Sequence, residues 1–104
     1  MSKIPVKQYL KQQQRNPELF KALEQLGEKT KQAGPLDERQ AQLIQLAAAA
    51  AIRSEGAVHS HARRALEAGA TEEELYHTLL LLISTIGLPA VMAAVSWLDD
   101  LQQR

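Results

Sequence analysis

The chain has 104 residues, 45% of them apolar, and its twelve basic and twelve acidic side chains cancel to a net charge of zero. That length makes one domain able to bury roughly 65% of its unfolded surface, and neutrality disfavours a nucleic-acid binder, which would be distinctly basic. The absence of cysteine excludes disulfides, thiolate metal ligands and thiol chemistry together, and fits a cytoplasmic protein.

The opening residues MSKIPVKQYLKQQQR hold no apolar run of the kind a signal peptide needs. Residues 4–12 predict a short helix with Val6, Tyr9 and Leu10 as its apolar stripe. Asn16 followed by Pro17 marks a helix start, an N-cap and then proline in the first turn. Leu19, Phe20, Leu23 and Leu26 continue at helical spacing to about Gln32, and Gly34-Pro35 breaks the chain.

Asp37 begins the next helix, with Gln40 placed to complete a capping box. Leu43, Ile44, Leu46, Ala47, Ala50 and Ala51 form its apolar face, while Glu38, Gln42, Gln45 and Arg53 fall opposite. The alanines at 47–51 are strong helix formers, and their small side chains let neighbours approach closely. A turn at Ser54-Glu55-Gly56 leads into a helix over about residues 55–68 that ends at Gly69. Its buried stripe is read as Ala57, Val58, His61, Ala62, Ala65 and Leu66, with His59 on the polar face beside Arg63.

Thr71 and Glu74 make a second capping box, opening a helix expected to run to about Ile86. Residues 78–98 carry no charge over about the length of a bilayer span. However, Gly87-Leu88-Pro89 in their middle combines a C-cap glycine with a first-turn proline, so two buried helices are expected and no membrane span. The last helix carries Val91, Val95, Trp97, Leu98 and Leu101. No stretch alternates with period two, which makes the chain all-α: a compact bundle of five to six helices in a single domain, 1–104.

Ser54, Ala57 and His61 share one helix face, at i, i+3 and i+7. Ser54 and His61 are separated by roughly 10.5 Å of axial rise, too far for a Ser-His nucleophile pair. His59 and His61, two apart, point in different directions, and His77 offers no third ligand, so no metal site is read. No cofactor motif is present either. Arg53, Arg63 and Arg64 are candidates for an acidic ligand at a pocket rim, against the plainer reading of solvated faces. Tyr76 and Trp97 are read as core or subunit-contact residues.

The segment LDERQAQLIQLAAAAAIRSEGAVHSHARRALEAGATEEEL resembles the carboxymuconolactone decarboxylase and alkyl hydroperoxidase D-like family, related to peroxiredoxin chemistry. The likeness extends through the Gly-Leu-Pro break, over about two-thirds of the chain, with residues 36–104 as the family core and 1–35 as N-terminal helices. In the redox branch the resemblance implies a C-x-x-C-x-x-x-H motif with a glutamate twelve residues before the first cysteine. The matching positions here are Gln42, Ser54, Ala57 and His61, so only the histidine remains and thiol peroxidase chemistry cannot run. The decarboxylase branch implies His61 as acid/base residue, with Gln42 orienting a substrate where a glutamate would assist.

The resemblance also implies a homo-oligomer, trimer or hexamer. Two functions follow. The preferred one is a catalytically degenerate binding or assembly module. The other is a lyase-type acid/base enzyme that uses His61 on a small acidic organic molecule, with Ser54 and Ala57 lining its pocket.

Overall fold

The computed structural model describes residues 4–102, and the side chains of 7–101. It is all-helical: α1 (Ile4–Arg15), α2 (Pro17–Gln32), α3 (Glu38–Ala51), α4 (Glu55–Glu67), α5 (Glu72–Leu80), α6 (Ile83–Ile86) and α7 (Leu88–Gln102). Six helices of two turns or more match the expected bundle, and α6 is one added turn. It arises because the helix expected to reach Ile86 stops at Leu80, where Leu81 and Leu82 form a turn. Among the described residues no helix is long and apolar enough to cross a membrane.

Both predicted capping boxes form. Gln40 N–H donates to Asp37 Oδ1 at 2.8 Å, and Asp37 N–H donates to Gln40 Oε1 at 3.0 Å. Thr71 and Glu74 repeat the pattern at 2.9 and 3.1 Å. Asn16, by contrast, precedes α2 without a side-chain cap bond, leaving Pro17 in the first turn as the start signal.

Helix C-termini set the two sharp reversals around α4. After α3, Ser54 N–H reaches Ala49 O at 3.0 Å and Arg53 N–H reaches Ala50 O at 3.1 Å, the paired bonds of a Schellman turn. Arg53 occupies its left-handed position, φ 58°, where glycine is usual. The same turn closes α4, with Gly69 at φ 101°.

The core is formed by α3, α4, α5 and α7. Leu46, Ala49 and Ala50 of α3 meet Val58, Ala62 and Ala65 of α4, and Leu75, Leu79, Val91, Ala94 and Leu98 close around them. Alanine makes up much of this core, which allows α3 and α4 the close approach expected of small side chains. Polar ties cross the same boundaries. Arg39 and Glu74 pair at 2.7 Å between α3 and α5, and Tyr76 donates to Asp99 at 2.5 Å between α5 and α7.

Two expectations about faces are corrected. Gln42, placed opposite the apolar face of α3, is 1% exposed, whereas Ile44 is 53% exposed. The reason is that α3 turns residues 42, 46, 49 and 50 inward, a stripe one position removed from the widest apolar run. His59, placed on a polar face, is likewise 1% exposed and donates from Nε2 to Trp97 O at 3.0 Å, because α4 is covered by α7 as well as by α3.

The N-terminal hairpin is held differently. Tyr9 and Phe20 meet edge to face at 5.2 Å, and Tyr9 and Gln13 both reach Glu24 at 3.3 Å. The side chain of Val6 lies outside the described ones. α2 has no buried residue, and Leu19, Leu23 and Leu26 are about half exposed or more.

Candidate acid/base site

α3 and α4 run side by side, and this contact brings Gln42 and His61 together. His61 Nδ1 lies 2.8 Å from Gln42 Oε1. One helical turn before Gln42, Glu38 accepts from Gln42 Nε2 at 2.7 Å, and the same carboxylate oxygen pairs with Lys31 Nζ at 3.0 Å. Lys31 sits near the end of α2, so three helices contribute to one line of contacts: Lys31, Glu38, Gln42, His61.

The electrostatics follow from this line. Burial first, then the Arg64 guanidinium and the Lys31 ammonium, hold His61 below its ordinary 6.5, which keeps the imidazole neutral at pH 7. The Gln42 amide first, and then Lys31, hold the Glu38 carboxyl below its ordinary 4.5. Glu38 is therefore an anion, and the amide beside it must present N–H groups to it.

A cleft of about 340 Å³ opens beside Gln42, walled by Lys31, Glu38, Gln42, Arg64, Glu67 and Ala68. His61 is not on that wall; it joins the cleft through Gln42. Lys31 is engaged by Glu38, whereas Arg64 is exposed and makes no ion pair among the described residues. Arg64 also borders a second cleft of about 400 Å³ against Tyr9, Leu23, Glu24 and Lys31 of the N-terminal hairpin.

Of the four residues singled out from the sequence, Gln42 and His61 touch. Ser54 is the N-cap residue of α4, part-buried and without a side-chain cap bond. Ala57 packs part-buried against the core. No hydrogen bond joins Ser54 to His61 among the described residues. His59 and His61 diverge, the first toward α7 and the second toward α3. No group of three His, Asp or Glu side chains among the described residues could hold a metal ion.

Glu38 and Lys31 were not singled out from the sequence. Glu38 had an available signal, since it stands four residues before Gln42 and such pairs meet on a helix. Lys31 had none, because its approach depends on how α2 folds back.

A family profile for the carboxymuconolactone decarboxylase family matches residues 17–100, taking in α2 as well as the segment that carries the sequence resemblance. The crystal structure of a carboxymuconolactone decarboxylase family protein from Legionella pneumophila, in its apo form, superposes with a TM-score of 0.83. The two chains share 29% identity, over 97% of this chain and 90% of that one. The comparison with curated proteins gives no match. On the profile match over most of its length, this cysteine-free chain belongs to the carboxymuconolactone decarboxylase family.

Proposed function

We propose that this protein is an acid/base enzyme acting on a small organic carboxylate, with His61 as its proton-transferring group. One observation carries the reading: the part-buried His61 imidazole is hydrogen-bonded to Gln42, and Gln42 in turn forms part of the wall of an open polar cleft. A side chain with no function beyond packing would be expected in an apolar or sealed contact. Arg64, exposed on the cleft wall and without an ion pair among the described residues, supplies a guanidinium for a substrate carboxylate. Gln42 cannot exchange a proton near neutral pH, so its part is to orient the imidazole, and proton transfer falls to His61 alone.

A binding or assembly module without chemistry is the second reading. It is favoured by the large apolar side chains left open in a single chain, among them Leu80, Leu81, Ile83, Leu88 and Met92 around the end of α5 and the start of α7. Those side chains favour self-association under either reading, and the trimer or hexamer is what the family resemblance implies.

A panel of small mono- and dicarboxylates in deuterated buffer tests the enzyme reading by proton NMR. The expected result is solvent deuterium entering a carbon-bound position of at least one carboxylate, abolished by His61→Ala and with weaker binding in Arg64→Ala. Carboxylates that bind without exchange, in wild type and His61→Ala alike, would favour the module.

A further inference from the structure

We infer that Glu38 is the positioning residue of this site: its carboxylate fixes the orientation of the Gln42 amide and thereby the tautomer of His61. The inference rests on the reading of His61 as the site's base, but its chain of reasoning is geometric and needs no ligand.

An ionised carboxylate only accepts hydrogen bonds, and the Gln42 amide has one donating end and one accepting end. Glu38 Oε2 is 2.7 Å from Gln42 Nε2, so the donating end is committed to Glu38. That leaves Gln42 Oε1 toward His61, 2.8 Å from Nδ1. An oxygen there requires Nδ1 to carry the hydrogen, and a neutral imidazole then has its lone pair on Nε2. Among the described residues Nε2 makes no hydrogen bond of its own.

If the amide were turned the other way, its NH2 would face Nδ1, the hydrogen would move to Nε2, and the free ring nitrogen would become a donor instead of a base. Glu38 decides between the two. It is well placed for this, since Glu38 and Gln42 are one turn apart on α3 and meet without any tertiary adjustment. A carboxylate thus stands one turn before Gln42, joined to the histidine through the amide, in a chain whose position 42 is not itself acidic. Lys31 clamps the same oxygen at 3.0 Å and holds the carboxylate in place.

Long-range nitrogen–proton correlation NMR of the ring nitrogens reads the tautomer directly, in ligand-free protein at a pH where His61 is neutral. The wild type is expected to show Nδ1 protonated and Nε2 bare. In Glu38→Ala the ratio should move toward the Nε2-protonated form by about fivefold or more, the ratio one hydrogen bond is worth. Glu38→Gln keeps an acceptor without the charge and should retain the wild-type tautomer as the major form. Lys31→Ala should retain it too.

A wild-type ring protonated at Nε2 would overturn the inference, as would an unchanged ratio in a folded Glu38→Ala. A tautomer that flips in Lys31→Ala would also overturn it, because the contact with α2 and not Glu38 itself would then be the orienting element. None of these outcomes depends on a carboxylate binding, so a failed substrate search and a failed inference remain distinct.

Discussion

Gln42 Oε1 and His61 Nδ1 face each other at 2.8 Å across the α3–α4 contact, an amide where a carboxylate would make a charged pair. With the amide in place the imidazole meets no negative partner among the described residues, and burial, Arg64 and Lys31 all act to keep it uncharged. Gln42→Glu supplies the missing charge. It should raise the His61 titration midpoint by about one to three pH units, the usual effect of an opposite charge at this range. Proton NMR of the imidazole across pH 4–9 measures it, and an unmoved midpoint would mean the pair does not form in solution.

The lowered His61 value also predicts how stability varies with pH. The unfolded chain takes up a proton near the ordinary 6.5, whereas the folded chain resists until a lower pH. The unfolded state then binds more protons, so stability is fully present above 6.5 and is lost as pH falls through the folded value. His61→Gln, which cannot titrate, should show a shallower decline in melting temperature below pH 6.5 than the wild type. Equal slopes in the two proteins would contradict the shift.

His59 contributes to stability in a way that His61 does not. It is fully buried and bonds Trp97 O, so truncation opens a cavity and removes the hydrogen bond that ties α4 to α7. His59→Ala should cost about 2–4 kcal/mol. His61→Ala, at a part-buried position beside a cleft, should cost visibly less. Urea titrations of both variants check the order, and a reversed order would mean that the α4–α7 tie is not formed.

How much of this was legible in the sequence differs between ends and faces. Helix ends are local chemistry: Asp37, Thr71, Gly69 and Gly87 each carry their own signal, and the breaks lie where those residues put them. Faces are not local. The stripe through Val58, Ala62 and Ala65 was readable, but α4 is covered on two sides, and apolar periodicity does not say that the second side holds His59. Gln42 reads as polar and therefore outward, until Glu38 and His61 satisfy both ends of its amide in the interior. Leu19, Leu23 and Leu26 recur at helical spacing, yet in a single chain that stripe stays open. Periodicity identifies an apolar face without saying whether its partner belongs to the same chain.

Gly87 tests the strongest of those local signals. Its φ of 93° and ψ of 155° lie in a region that is essentially glycine-only. A β-carbon there would meet only Pro89 Cδ, at an ordinary 3.8 Å, so any penalty comes from the backbone itself. Gly87→Ala should cost about 1–3 kcal/mol. Arg53→Gly works in the opposite direction, relieving a non-glycine φ of 58° in the Schellman turn, and should stabilise by up to about 1 kcal/mol. Thermal melts of the two variants moving the same way would contradict this account of the turns.

The last prediction concerns the two positions where the redox branch would carry thiols. The wild type has no cysteine and should show no thiol-dependent peroxide turnover. Ser54 caps α4 and Ala57 lies three residues on, so cysteines there would stand at the first turn of a helix, spaced as in C-x-x-C. The helix dipole should lower the first thiol's pKa and favour its thiolate. Ser54 makes no side-chain cap bond, so replacing it forfeits little, and Ala57 is only part-buried. Ser54→Cys with Ala57→Cys and Gln42→Glu should therefore fold, form an internal disulfide reversibly, and reduce peroxide weakly. His61→Ala in that background should slow the reaction by removing the imidazole on the same helix face. Thiol titration before and after mild peroxide is the measurement. Two thiols that stay free in a folded variant would show that positions 54 and 57 do not face a common site, and the pocket role given to them would fall.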